Sequence, residues 1–113
     1  MRAVIAALIA IWLAAGCTKG CGSKIADGAA NGAEIFDQAC SRCHGKHGVP
    51  EAGMVAQIGV KDLTTDRVQD SFTDDQLRKQ IIDGSENQKM PSFAGALTDD
   101  QIDAVIAHVR SLR

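Results

Sequence analysis

Cys40-Ser41-Arg42-Cys43-His44 is the stretch from which the fold is read. It has the C-x-x-C-H form of covalent c-type haem attachment. Two thiols at this spacing can each bond one side group of a single porphyrin. The next residue, His44, then stands where its imidazole can ligate the iron. Haem iron held by His and Met is an electron-transfer arrangement with a raised reduction potential. Cys40 and Cys43 are therefore the candidate attachment residues, and His44 is the candidate iron ligand.

A bare C-x-x-C has two other uses, as a dithiol redox pair or as half of a zinc site. A zinc site needs a second Cys/His pair at ligand spacing, and none follows. The other histidines are His47, in a Gly-flanked loop, and His108 near the end of the chain. A thioredoxin-like pair needs a strand–helix–strand context, which is absent here. The trailing His favours haem.

Toward the N-terminus, Arg2 is followed by an almost unbroken apolar run, Ala3 to Ala15. Small residues Ala14-Ala15-Gly16 then precede Cys17. Residues 1–16 read as a secretory signal, too short to be taken first as a spanning helix. Export agrees with c-type haem attachment outside the cytoplasm of bacteria. Small residues running into Cys17 also resemble a bacterial lipobox, although Ala14 fills the usual Leu position. Cys17 is thus expected to be the lipid-bearing N-terminus, with ordinary cleavage at the same small residues as the alternative. Cys21 would then be unpaired; a Cys17–Cys21 disulfide or an idle thiol is the plainer reading. Residues 17–26 contain Gly, Ser and Lys and read as a flexible tether, leaving 27–113 as the domain. A lipidated Cys17 would keep that domain beside a membrane yet free to reorient.

The chain has 113 residues, enough for one small domain. Its 14 acidic and 12 basic residues give a net charge of −2, and loss of Arg2 with the leader makes it more acidic. No basic patch suggests nucleic acid. Beyond the leader there is no Trp or Tyr, and the aromatics are Phe36, Phe72 and Phe93. A core this small is marginal without help. A haem is a large apolar plate around which it can pack, so the apoprotein is expected to be poorly folded.

A first helix is expected from about Asp27–Asn31 to Cys40, and Asn31 with Glu34 fits a capping-box-like start. Gly32 and Phe36, four apart, share a face. Residues 45–70 are weakly periodic and read as loop with a short helical turn. Thr-Asp-Asp-Gln occurs twice, at 73–76 and 98–101, each time as a capping box. The first opens a helix carrying Leu77, Ile81 and Ile82 and closed by Gly84. The second opens a terminal helix with Ile102, Val105, Ile106, Val109 and Leu112 on one face. No stretch alternates as a strand, so the fold class is all-α. The thioether candidates for a second axial ligand are Met54 and Met90, since Met1 leaves with the signal, and His108 is the minor alternative as an iron ligand. Pro91 biases Met90 away from helix, which suits a loop aiming a thioether at iron. Met54, ten residues past His44, is read as adaptable packing.

Taken together, these pieces resemble the single-haem class I c-type cytochromes, the small bacterial ones in particular. The resemblance covers residues 27–113 and rests on the C-x-x-C-H-G run, Asp62-Leu63-Thr64, Met90-Pro91-Ser92-Phe93 and the closing amphipathic helix. It implies the cytochrome c fold, three to four helices and loops wrapped around one covalent haem, with the first and last helices crossing. It places Gly32 and Phe36 at that crossing and packs Leu63 on the haem. Two positions depart from the pattern. Many relatives have Pro before the Asp-Leu pair, its carbonyl accepting the proximal imidazole N–H; here that place is Lys61. The last helix commonly carries an aromatic where this chain has His108, read here as packed at the helix crossing.

The expected function is one-electron transfer by an exported, lipid-anchored carrier with one haem c, His44 and Met90 on the iron. Its partners would be a redox donor and acceptor protein, with respiratory complexes among the candidates, a membrane through the lipid, and no nucleic acid. With both axial sites filled it would not be an enzyme. The alternative is a haem-based sensor or gas-binding module with a labile Met ligand. A peroxidase-like reading lacks a distal acid–base pair.

Overall fold

Asn31 opens the first helix by accepting the Glu34 N–H at 2.8 Å on its side-chain oxygen. The computed structural model describes residues 31–113; the expected leader, the tether, the start of the domain, Cys17 and Cys21 lie outside the described residues. Helix α1 spans Gly32–Ala39. Cys40 interrupts it, and one further turn, α2 (Ser41–His44), carries the rest of the attachment motif. Then come α3 (Ala52–Ile58), α4 (Asp66–Ser71), α5 (Asp74–Asp83) and α6 (Asp99–Arg110). No strand occurs among the described residues, so the fold is all-α, as expected. No helix among them is long and apolar enough to cross a membrane.

Six helical segments replace the expected three to four. Helix α2 is a single turn split from α1 at Cys40. The stretch 45–70, expected as loop with a short turn, holds α3 and α4. Helix α3 buries no residue fully, and its apolar spacing is limited to Met54, Val55 and Ile58, too brief a stripe to mark a helix. Helix α4 has six residues, of which Val68 and Gln69 are buried. Both Thr-Asp-Asp-Gln capping boxes form, at α5 and α6, and each satisfies two otherwise orphaned donors. Gly84 ends α5 at φ 77°, in the region where glycine escapes the Cβ clash.

The core lies where α1 crosses α6. Ile35 and Phe36 pack with Val105, Ile106 and Val109 of α6 and with Phe93 and Leu97 of the preceding loop. A Cβ at Gly32 would collide with the Ala104 carbonyl, so the glycine is what lets the two backbones approach. The His108 ring stands 5.2 Å from that of Phe36, which places it at the helix crossing.

A second tie joins α6 to α4. Arg110 donates to Asp74 Oδ1 at 2.8 Å, the Gln69 carbonyl at 2.6 Å and the Phe72 carbonyl at 2.5 Å. It thereby satisfies carbonyls at the end of α4 that the helix itself leaves unpaired. Gln69, a buried polar side chain, donates to the carbonyls of Val109 at 2.9 Å and Leu63 at 2.6 Å. The tie therefore fixes Leu63, which faces the cavity described next.

Candidate functional site

Between the α1–α2 corner, the 58–63 segment, α5 and the loop after it lies a cavity of about 420 Å³. Its lining includes Phe36, Cys40, Cys43, His44, Leu63, Leu77, Ile81 and Met90. Every residue expected from the sequence to hold the cofactor thus meets at one cavity. Met54, in α3, is not among the lining residues.

The attachment turn is built by backbone bonds. Cys40 N–H donates to the Phe36 carbonyl at 2.9 Å, closing α1. The Cys40 carbonyl then accepts from Cys43 at 3.2 Å and His44 at 3.0 Å. Both thiols are free and half-buried. Burial first, and the neighbouring Cys43 second, push the Cys40 thiol up to about 11. Redox-active dithiols do the reverse and hold a depressed pKa, so this environment suits an anchor rather than exchange chemistry. Among the described residues no three His, Cys, Asp or Glu side chains gather as a metal-binding group, so the zinc reading has no ligand set there.

Burial pushes the His44 pKa down, and the Lys61 backbone partly offsets this. A neutral imidazole is the form with a lone pair for a metal. His44 Nδ1 is buried with no hydrogen-bond partner of good geometry. The Lys61 backbone is near enough to favour a ring proton, yet not aligned as a full bond.

Met90 is presented by a tight loop. Ser85 N–H donates to the Met90 carbonyl at 3.0 Å, and Met90 N–H donates to Ser85 Oγ at 2.9 Å. Beyond it, Phe93 N–H donates to the Ile81 carbonyl and Ser92 Oγ–H to that of Ile82, at 3.0 and 2.6 Å. The loop is thereby clamped along α5, with Gln80 Nε2 at 3.9 Å from the Met90 sulfur. Two thiols, a neutral imidazole and a thioether around one apolar cavity, of a size usual for ligand sites, fit a covalently held haem.

The charges of the molecule are unevenly paired. Arg42, Lys46, Lys61 and Lys89 are exposed and join no ion pair among the described residues. Several acidic residues are matched: Asp66 and Asp70 with Arg113, Asp74 with Arg110, Asp83 with Lys79, Asp99 and Asp103 with Arg78. Sequence position alone does not reveal these pairings. His47 is exposed, as expected.

Comparison with known proteins agrees with this geometry. The model of the family described as cytochrome C oxidase, cbb3-type, subunit III, matches residues 27–109. The chain is 33% identical over 82 residues to cytochrome c6 of Synechococcus elongatus, covering 71% of this chain and 85% of that protein. It is 33% identical over 82 residues to cytochrome c6 of Thermosynechococcus vestitus, covering 66% of that protein. Among solved structures, the KustC0563 c-type cytochrome superposes with a TM-score of 0.67 at 25% identity, over 74% of this chain and 98% of that one.

Proposed function

The chain belongs to the cytochrome c family, within the group described as cytochrome C oxidase, cbb3-type, subunit III, and takes one covalent haem c; from this premise we propose that it carries single electrons between exported or membrane-bound redox proteins. Cys40 and Cys43 would hold the porphyrin through thioether bonds, and His44 and Met90 would hold the iron. The observation that carries this reading is that the His44 imidazole and the Met90 thioether line the same cavity as both thiols, while Met54 does not. When bound, the haem supplies a one-electron iron couple. The residues do the rest. Leu63, Phe36, Leu77 and Ile81 keep the cavity apolar, which disfavours the more highly charged oxidised state and so favours a raised potential. The hydrogen bonds that clamp the 85–93 loop along α5 would hold the thioether toward the bound group. With His44 and Met90 both holding the iron, no open position would remain for a substrate, and the protein would act as a carrier rather than an enzyme.

Export and membrane attachment through lipid on Cys17 are part of the same proposal. The mass of the N-terminal peptide of the native protein checks this: a lipid-modified Cys17 is expected, and an unmodified Cys17 removes the anchor while leaving the carrier.

The carrier is tested through its docking. Lys61 lines the cavity, and the exposed Arg42 and Lys46 flank Cys43 and His44 in sequence; together they would make a positive docking face suited to an acidic patch on a redox partner. Complementary charge chiefly sets encounter rate and is screened over about 8–10 Å at moderate salt. Electron transfer with the partner should slow as ionic strength rises. Lys46→Glu should slow it severalfold at low salt with little change in potential. A rate flat in salt, or rising with it, would contradict a positive docking face. Lys89 is unsuited to this test because its ammonium is engaged.

A further inference from the structure

We propose that Lys89 is a strap closing the mouth of the cavity and a positioning residue for Met90, an inference that rests on Met90 being the iron ligand. Lys89 Nζ donates to the Gln57 carbonyl at 2.9 Å, across 32 residues of sequence. Among the described residues this is the only hydrogen bond joining segment 51–60 to segment 73–97. One of those segments carries Met90. The other is α3, whose exit through Ile58, Gly59, Val60 and Lys61 forms part of the cavity wall. The strap therefore spans the two walls of the site.

Helix α3 has little else to hold it. It buries no residue, and Val55 on it is 46% exposed. Extensive helix–helix contact is made by α1 with α6, α1 with α2, and α5 with α6, but not by α3. An element with few buried apolar contacts opens at low free-energy cost. Gln57 lies in the last turn of α3, where carbonyls lack intrahelical partners and accept readily from a lysine. Lys89 adjoins Met90, so restraint of its ammonium reaches the ligand loop through one peptide unit. Without the strap α3 is freer to lift, and water or a small ligand then competes better with the thioether.

The test uses the exported holoprotein. Imidazole binding to the oxidised protein is followed optically, and backbone hydrogen exchange is measured over residues 55–60. Lys89→Ala should bind imidazole about three- to tenfold faster and tighter, the size of one solvent-exposed hydrogen bond. Exchange at 55–60 should rise by a similar factor. Lys89→Arg, which keeps a cationic donor, should restore wild-type values. Arg67→Ala removes an equal charge from an exposed position on α4 and should change neither readout. Unchanged binding and exchange in Lys89→Ala would overturn the strap, as would an equal effect from Arg67→Ala. A wild-type spectrum without Met–iron charge-transfer absorption would instead overturn the ligand reading, and the exchange arm would still decide whether Lys89 closes the cavity.

Discussion

Alanine at both Cys40 and Cys43 should abolish covalent haem, leaving none on the chain after denaturation and solvent extraction. Each thiol lines the cavity, and each can supply one thioether. Removing both leaves no other cysteine among the described residues to replace them. The loss should extend to folding. The core is a single cluster at the α1–α6 crossing, and the adjoining cavity of about 420 Å³ would have apolar walls and nothing to pack on them. A group held by the native state alone stabilises it, by about 4 kcal/mol at a thousandfold excess over its dissociation constant, and a covalent group cannot leave. The double variant should therefore lose much of its helical circular dichroism and be degraded in the cell. Covalent haem in that variant, or an apoprotein as helical as the native protein, would contradict this account.

Met90→Ala should open the iron to solvent. The oxidised protein should lose its Met–iron charge-transfer absorption and gain high-spin character. Imidazole should bind at least about tenfold more tightly, since no side chain has to be displaced. The potential should fall by on the order of 100 mV or more, a fraction of the roughly 0.8 V that axial ligands span. Direction follows from the ligand: a thioether favours the reduced iron, so its removal favours the oxidised state. Met54→Ala should change neither the spectrum nor the potential, because Met54 sits on α3 away from the cavity lining. The opposite behaviour of the two variants would exchange the ligand assignment.

Much of this arrangement was legible in local sequence. The Asn31 cap and both Thr-Asp-Asp-Gln boxes are short-range patterns and formed as read. The closing helix has a periodic apolar face, and α6 buries Ile102, Val105, Ile106 and Val109. Pro91 and the Cys-x-x-Cys-His run placed Met90 and His44 at one site before any coordinates were known. What was not legible depends on contacts distant in sequence. Helix α3 is one short segment whose half-buried Met54 and Ile58 stand four apart, a single pair too short to establish a helical period. Arg110 reaching the carbonyls at the end of α4, Gln69 fixing Leu63, and Lys89 reaching Gln57 are side-chain bonds to backbone 6 to 41 residues away. Backbone carbonyls have no residue signature, so no motif announces them. Asp66, Asp70, Asp74, Asp99 and Asp103 pair with Arg78, Arg110 and Arg113 across the fold, which charge order along the chain does not show. The molecule is less polarised than that order suggests.

The most direct measurement is an optical redox titration of the exported native protein, with spectra taken in both oxidation states. The carrier account predicts one reversible one-electron wave, a low-spin six-coordinate spectrum throughout, and Met–iron charge-transfer absorption in the oxidised form. A high-spin spectrum in either state, with ready binding of carbon monoxide by the reduced protein, would contradict it and favour a gas-binding sensor.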